Sequence, residues 1–555
     1  MEKDSVTLGK CPPEVKLAIL NQLASDQTAL AKLSRADKSW NGLCQEFLYA
    51  HVRFDWKIGL CSGMWCLITN LFDDRSRRKL VKTISLVGSS HNYLDRIDVS
   101  RDERLGNGSG TSVAAAHGSS QATGAAIAWV NHMNLPGRVK KEWVESFTGG
   151  HVHSLSFLLL SLCTDLTVLK MGGTFRSDNI FFPWLFSTPQ LGPGRNILFT
   201  KLRTLDLLQR EGLPRPWAET FTDAHRMLSL PQLEAISIQF RKLGSHALAA
   251  QFDPIRSTTL KSLSIKGLHE VDLGTVLHDI GPVQCFRWER RGSVLEPPQV
   301  RLRTFASAVQ KIKDTVQDMV VMHRSDMESH WCPRLGGNLN AMKRLPHLRR
   351  LQVPWVFVMS YRIDLTRKLL DVVPPSLEQL TLTDEFMPYG PPEDRVWNAS
   401  LAEQRGWHWT MTAIFEALKE ALRTMPSSYK LRQIILPDVH GGLISDKMRL
   451  TLPALTAEKG IQVLWMVNHG NHLWYFDLFG PIRLDRTRDA ELLADVWLDN
   501  MRICAGDWMM PPFLQEPFLV TGEWPNFFIE FDSELDGFET GLLLDGVEGE
   551  FGDGE

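Results

Sequence analysis

The chain has 555 residues, more than one hydrophobic core encloses, because single cores stop growing near roughly 250–300 residues. Its formal net charge is −3, and the last 25 residues hold nine acids and no base, which leaves 61 bases against 55 acids spread along the rest. A spread balance of this kind argues against the concentrated basic patch of a nucleic-acid-binding protein. No apolar run reaches the roughly 18–20 residues that a membrane span needs. We therefore predict neither nucleic acid nor membrane as a partner.

The amino terminus and the cysteines bear on the compartment. The first residues lack the apolar stretch of a secretory signal, and the eight cysteines are scattered along the chain. Scattered thiols suit a reducing environment. The sequence therefore predicts an intracellular protein of the cytoplasm or nucleus.

The first organised segment covers residues 11–54, for which we predict three short helices and a brief strand. Pro12 and Pro13 favour a helix start. The first helix then carries apolar residues on two sides: Val15, Ala18, Ile19 and Leu23 on one, Leu17, Leu20 and Ala24 on the other. Domains near roughly 40 residues usually need a metal, a disulfide or a partner. A helix that is apolar on two sides in so small a module predicts a missing partner.

The order of residues in this segment resembles the F-box family. The similarity consists of Pro12-Pro13-Glu14-Val15, Ile19-Leu20, Leu23, Leu30, Leu33-Ser34, Lys38-x-Trp40 and Leu48-Tyr49, with Cys11 where the family usually has leucine. In that family the helices dock on a Skp-type adaptor of a cullin-based ubiquitin ligase. The resemblance implies ten adaptor-binding residues: Pro12, Pro13, Val15, Ile19, Leu20, Leu23, Leu30, Leu33, Lys38 and Trp40.

Two other interpretations of residues 11–54 remain open. The helices could serve only as a cap on the array that follows, since repeat arrays need polar caps. They could also form a helix-turn-helix, but the third helix offers mainly Lys38, Asn41 and Gln45, a poor set for reading DNA.

Beyond a connecting segment (55–80), one pattern recurs over residues 81–466: apolar-x-x-apolar-x-apolar. Clear copies are Val81–Leu86, Leu166–Met171, Leu202–Leu207, Leu233–Ile238, Leu260–Ile265, Leu348–Val353, Leu377–Leu382 and Leu431–Leu436, and weaker ones are Val283–Trp288 and Ile461–Met466. Closely spaced copies lie 23–36 residues apart, while gaps of 85, 65 and 54 residues suggest insertions or degenerate repeats. Leucine-rich repeats run about 20–29 residues, each with one strand and a returning helix.

These repeats resemble those of F-box proteins with leucine-rich repeats. The resemblance implies an α/β fold in which a three-helix F-box-like module precedes a solenoid of parallel strands with helices on its convex side. Residues between the last two apolar positions of each strand should point outward and are candidate contacts to a target protein. They are Lys170, Asp206, Ser237, Ser264, Gln352 and Thr381.

Three further segments differ in composition from the repeats. Residues 101–125 are rich in Gly, Ser and Ala and predict a flexible insertion. A C-terminal segment (467–530) has no clear pattern, and the acidic tail (531–555) predicts disorder, with docking on a basic partner as the alternative.

No sequence motif predicts catalysis or a cofactor. The Walker loop, H-E-x-x-H, G-x-S-x-G and kinase signatures are missing. His151 and His153 alternate as a metal pair on a strand would, without a third ligand. We therefore expect no enzyme activity, cofactor or metal. The sequence predicts a substrate receptor that joins a Skp-type adaptor, and through it a cullin, to an unknown target protein. A leucine-rich-repeat scaffold unrelated to ubiquitin is the alternative.

Overall fold

The computed structural model describes most of the chain between residues 11 and 467. The described ranges are 11–24, 26–55, 61–87, 120–148, 152–172, 175, 185–186, 199–207, 221–240, 259–292, 299–325, 334–360, 367–383, 411–438 and 446–467. The predicted C-terminal segment, apart from residue 467, and the acidic tail lie outside them, as does the predicted insertion up to residue 119.

Helices and strands alternate along most of the described chain. The helices are α1 (Pro13–Gln22), α2 (Gln27–Ala36), α3 (Lys38–Ala50), α4 (Cys61–Asp73), α5 (Arg75–Arg78), α6 (Ser120–His132), α7 (Gly137–Thr148), α8 (Val152–Leu162), α9 (Phe221–Leu228), α10 (Glu270–Asp279), α11 (Leu302–Val309), α12 (Trp355–Met359), α13 (Met411–Thr424) and α14 (Asp446–Ala457). The strands are β1 (His51–Asp55), β2 (Thr83–Val87), β3 (Val168–Met171), β4 (Thr204–Asp206), β5 (Ala235–Gln239), β6 (Ser262–Lys266), β7 (Cys285–Gly292), β8 (Gln299–Arg301), β9 (Asp318–Ser325), β10 (Arg334–Gly336), β11 (Arg350–Pro354), β12 (Gln379–Thr383), β13 (Gln433–Asp438) and β14 (Gln462–Val467).

Twelve of these strands form one parallel sheet, and its strand order follows the chain: β1-β2-β3-β4-β5-β6-β7-β9-β11-β12-β13-β14. The other two, β8 and β10, pair in parallel as a separate small sheet. Strict neighbour-to-neighbour order is what a stack of repeats produces, because each repeat contacts only the next one. The prediction of a mixed α/β fold with a large parallel sheet is confirmed, and the order is consistent with a solenoid.

Strands and helices share one hydrophobic core. Strand residues such as Leu205 and Leu263 are fully buried in one hydrophobic core, the array core, together with helix residues such as Leu158 and Leu277. No single repeat could bury these leucines alone, so stacking supplies the core. From Ser154 to Leu162, helix α8 lies in this interior, since even its serines in that stretch are buried.

Strand pairing explains the irregular spacing of the repeats. The 65-residue gap holds one unrecognised repeat, Val316-Gln-Asp-Met319-Val-Val321, whose strand β9 lies between β7 and β11. The gaps of 85 and 54 residues hold insertions instead, because β2 pairs directly with β3 and β12 directly with β13. Three helices, α6 to α8, fill part of the first insertion.

Three details differ from the predicted organisation of the chain. Strand β1 pairs in register with β2, so the sheet begins at His51 rather than at Val81. The predicted connecting segment (55–80) contains α4 and α5, and α4 contributes Met64 and Ile68 to the array core. The last residues of the predicted flexible insertion, from Ser120, begin α6. Sequence periodicity missed α4 because it recognises the strands of a repeat more readily than the helices between them.

Gly267, directly after β6, has a backbone conformation that residues with a side chain rarely adopt. Its φ is +83°, and an added Cβ would lie 2.7 Å from the carbonyl oxygen of Phe240. We expect Gly267→Ala to lower the free energy of unfolding by about 2 kcal/mol or more, through backbone strain and this backbone clash. Chemical denaturation followed by circular dichroism measures the change.

Gly274 provides the control for that substitution, since it lies inside α10 and an added Cβ would meet only Ala308 at 3.8 Å. Gly274→Ala should be neutral or stabilising by about 0.5–1 kcal/mol. Equal effects of the two substitutions would contradict the backbone explanation.

Candidate functional site

The three N-terminal helices form a small module (residues 11–50) with a core of its own. Leu20, Leu30, Trp40 and Cys44 are its buried residues, and they form a cluster separate from the array core. Asp26 caps α2 by accepting a hydrogen bond from the Ala29 amide at 2.9 Å. The module therefore packs internally, while α3 runs directly into β1 and so joins it to the sheet.

Helix α1 turns an unexpected side inward. Its inner residues are Lys16 and Leu20, both buried, with Ile19 and Leu23 half-buried beside them. Each residue advances the helix by about 100°. Val15 and Leu17 therefore flank Lys16 on either side, and Ala18 lies opposite.

We call Val15, Leu17 and Ala18 the outer face of α1. Val15 is 45% exposed and Leu17 is 38% exposed, and Ala18 is also exposed. Within the described ranges, the other large apolar side chain with comparable exposure is Val271 on α10. Neither of the two predicted apolar sides is the inner one, because that side is centred on Lys16 and Leu20. An apolar run that surrounds a helix does not specify which side turns inward.

The ten predicted adaptor-binding residues fall into three groups. Leu20, Leu30 and Trp40 lie in the core of the module, where their side chains have no access to a partner. Ile19, Leu23 and Leu33 are half-buried against that core, and Pro12, Pro13, Val15 and Lys38 are exposed. We assign the first three a packing role. Contact with an adaptor stays a prediction for the other seven.

The residues predicted to contact a target lie on one row across the sheet, as their shared repeat position requires. The register places in one line Arg53, Ser85, Lys170, Asp206, Ser237, Ser264, Arg287, Val320, Gln352, Thr381, Ile435 and Leu464.

Exposure changes along this row. Lys170 is exposed, and Asp206, Ser237, Ser264 and Gln352 are half-buried. Thr381 is only 2% exposed, so the expectation that it is accessible to a target is wrong. Its neighbour Ile435 is also buried, at 5%. The repeat pattern specifies the side of the sheet that a residue faces but not what lies over that side. The accessible part of the row therefore runs from β1 to β11.

A buried ionic cluster, which the sequence did not predict, joins the carboxyl ends of the central strands. It consists of Lys266, Glu270, Glu289, Arg290 and His323, each at most 4% exposed. Lys266 Nζ lies 2.9 Å from Glu289 Oε1, and Arg290 Nε lies 3.0 Å from Glu270 Oε1. Because burial raises the cost of separating such charges, the cluster locks β6, β7, β9 and the start of α10 together.

The positions of these charged residues within their repeats are a sequence signal for the cluster, although none of the predictions used it. Lys266 follows the last apolar residue of its repeat directly, and Glu289 does the same in the next repeat, so the register makes them cross-strand neighbours. His323 pairs in register with Arg290 one step further along. Charges of opposite sign at one repeat position in adjacent repeats predict an ion pair, but their burial does not follow from the pattern.

His323 makes the stability of the array depend on pH. Burial, and secondarily the charge of Arg290, lower the pKa of His323 from 6.5 to about 3. Below pH 6.5 His323 therefore binds a proton in the unfolded chain but not in the folded chain. The free energy of unfolding falls for this reason as the pH falls toward 3. We expect His323 to account for a loss of about 2 kcal/mol between pH 7.5 and 5.

The comparison with His323→Gln isolates this effect, because glutamine does not titrate. Burial also raises the pKa of Glu270, although Arg290 opposes the shift, and this group gives the opposite slope in both proteins. The measurement is the free energy of unfolding from urea titrations at pH 7.5, 6 and 5. The same loss in both proteins would show that His323 is not neutral and buried when folded.

One open groove, of about 540 Å³, lies at the amino-terminal edge of the central strands. Its lining includes Glu234, Lys261, Gln284 and Gln317, which all hold the second position of their repeats. Lys261 Nζ and Glu234 Oε2 form an ion pair across it at 3.0 Å. Its lining mixes polar and apolar surface and the groove is open to solvent, which differs from the concave, mainly apolar sites that hold small ligands.

The described residues offer no metal site, since no three His, Cys, Asp or Glu side chains in them come together to hold an ion. His153 lies in α8, so the alternation expected of a strand does not apply to it, and His151 lies outside the described ranges. None of the helices that the structure describes has the length and apolar character needed to cross a bilayer.

Comparison with known proteins adds no family assignment: no protein-family model matches the chain, and no curated protein matches it.

Proposed function

We propose that this chain is a substrate-recognition subunit of a cullin-type ubiquitin ligase, acting in the cytoplasm or nucleus. The helical module (residues 11–50) would bind a Skp-type adaptor, and the accessible part of the sheet would bind a target protein. The chain itself would perform no chemistry. It would raise the effective concentration of the target near the enzyme that carries ubiquitin.

The outer face of α1 is the observation that carries this proposal. Val15 and Leu17 remain exposed although the module has a core to which they could contribute. The exposed Ala18 lies between them on the side of α1 opposite Lys16, so the three residues form one apolar area. A connected area of this kind is typical of a binding surface, whereas isolated exposed apolar residues are ordinary. The F-box resemblance, which includes Val15 among its residues, favours a Skp-type adaptor as the partner.

The accessible part of the predicted contact row supports the proposal that the sheet binds a target protein. Lys170, Asp206, Ser237 and Ser264 lie on adjacent strands, which stand about 4.8 Å apart, so they form a continuous surface. Polar residues on a rigid sheet present specific hydrogen-bonding groups to a partner without rearrangement. The identity of the target is not part of the proposal.

A second candidate function is a repeat scaffold without a ubiquitin role. It is favoured by the direct continuation of α3 into β1, the first strand of the sheet, and by the packing of Tyr49 against the array core. In this account the helices protect the end of the array.

Removal of residues 1–48 separates the two functions while leaving Tyr49 and β1 in place. The ligase account expects the full-length chain to co-purify with a Skp-type adaptor and the shortened chain to lose it, with the thermal unfolding midpoint of the array within a few degrees of the original. The scaffold account expects no adaptor binding by either chain and a large loss of stability on removal. Failure of the full-length chain to bind the adaptor would refute the ligase proposal.

A further inference from the structure

A single lysine occupies the inner side of α1. The run Val15-Lys16-Leu17-Ala18-Ile19-Leu20 contains five apolar residues and Lys16, yet Lys16 is only 6% exposed. The apolar residues Val15 and Leu17 on either side of it remain exposed. This arrangement reverses the ordinary preference, in which apolar residues turn inward and lysine turns outward.

Lys16 is held by directional contacts to the start of α3. Its Nζ donates a hydrogen bond to Ser39 Oγ at 2.9 Å and lies 5.4 Å from the centroid of the Trp40 ring. The Ser39 amide donates to Asp37 Oδ1 at 2.6 Å. Hydrogen bonds from the amide and hydroxyl of Ser39 lower the pKa of Asp37, and the charge of Lys16 adds to this. Lys16, Ser39 and Asp37 thus form a charge-linked chain between two helices.

Burial of apolar area excludes only one of the two neighbouring settings of α1. A turn by one residue, about 100°, that brings Leu17 into the place of Lys16 would carry Asn21 into the place of the buried Leu20, whereas a turn in the other direction would bring in Val15 and Ile19, which are both apolar. Apolar contacts are non-directional, so a helix that is apolar on most sides packs acceptably in more than one rotation. The ammonium group is different, because its hydrogen bond to Ser39 and its contact with the Trp40 ring exist in one rotation alone. A buried polar group can specify register in this way.

We propose that Lys16 is a positioning residue that sets the rotation of α1 about its own axis, so that Val15 and Leu17 face the partner. The inference rests on the proposed function for the identity of that partner, a Skp-type adaptor. Lys16 itself does not touch the adaptor: it acts through Ser39 and Trp40. The buried charge of Lys16 thereby defines the outer face of α1 as the binding face.

The first test replaces Lys16 by methionine, which has a similar length, is apolar, and packs well on an aromatic ring. In the full-length chain, Lys16→Met should keep or raise the thermal unfolding midpoint but weaken adaptor binding by about tenfold or more, because α1 no longer has one rotation. A merely structural lysine would change both quantities together.

A direct readout of rotation does not depend on the adaptor. The substitution Val15→Cys is made in the original chain and in the Lys16→Met chain, and alkylation at position 15 is followed by peptide mass spectrometry. Position 15 is exposed in the structure, so the first chain should react quickly. The second should react at least about threefold more slowly, because part of the population turns this position inward.

Ser39 supplies a matched pair of variants in case Lys16→Met does not fold. Ser39→Thr keeps the hydroxyl that Lys16 uses and should bind the adaptor within about twofold of the original chain. Ser39→Ala removes the hydroxyl and should weaken binding by about fivefold or more. Similar binding by these two variants would overturn the assignment.

The assignment would also be overturned if Lys16→Met left both adaptor affinity and alkylation at position 15 within twofold of the original values. If the original chain does not bind the adaptor at all, the proposed function fails, and the alkylation comparison alone decides the role of Lys16. The two failures are therefore distinguishable.

Discussion

Replacing Val15 and Leu17 together by aspartate is expected to weaken binding of a Skp-type adaptor by more than about 100-fold, equivalent to about 2.8 kcal/mol. Both residues are exposed in the free chain. In a complex they would be apolar anchors, and truncating such an anchor costs about 2 kcal/mol or more. Aspartate adds the cost of burying a charge against an apolar partner surface. The measurement is the dissociation constant from titration calorimetry with the purified adaptor.

The same substitution should leave the chain folded, because surface changes usually alter stability by about 0.5 kcal/mol or less. Val15 also lies in the first turn of α1, where a negative charge is favourable. Val271→Asp is the matched control, since Val271 is 55% exposed and lies on α10 of the array. Undiminished binding by the double variant, or an equal loss in the control, would exclude the outer face of α1 as the contact.

The second large effect concerns stability: Glu289→Gln is expected to lower the free energy of unfolding by about 3 kcal/mol or more. Glu289 is paired with Lys266 at 2.9 Å, and both side chains are at most 5% exposed. The neutral amide has nearly the same shape, so the loss comes from leaving the buried ammonium of Lys266 without its carboxylate. Denaturant unfolding followed by circular dichroism measures it.

An exposed ion pair in the same array provides the control. Lys261 and Glu234 also join adjacent repeats, at 3.0 Å, but their side chains are 59% and 37% exposed. Glu234→Gln should cost less than about 1 kcal/mol. Combining Glu289→Gln with Lys266→Met should recover part of the loss, because no buried charge of that pair is then left alone. If Glu289→Gln cost no more than Glu234→Gln, burial would not govern this pair.

The strands of the array were predictable because each repeat has the same spacing of apolar residues in its strand. Each apolar-x-x-apolar-x-apolar segment became a strand of the parallel sheet, and the same spacing recovers β9 once Val316, Met319 and Val321 are aligned with it. The helices between the strands have no such fixed spacing. Helix α4, which lies between β1 and β2, was missed for this reason, although Met64 and Ile68 belong to the array core.

The candidate sites were less predictable, because they depend on contacts between segments that are distant along the chain. The sequence predicted the helix α1 but not its inner side, which depends on the contact of Lys16 with Ser39 and Trp40. In the same way, the shared repeat position placed Thr381 on the correct row of the sheet but did not predict its burial. Rotation of a helix and coverage of a face are tertiary properties.

Binding of a Skp-type adaptor by the outer face of α1 can be tested by hydrogen–deuterium exchange of the full-length chain, with and without a saturating amount of the adaptor. The account predicts slower exchange on adaptor binding for amides of residues 11–50, strongest in α1, because complex formation covers its outer face and suppresses local opening. Amides of the strands that carry Lys170, Ser237 and Ser264 should be unchanged, which leaves that surface free for a target. Unchanged exchange in residues 11–50, or protection confined to the array, would contradict the account.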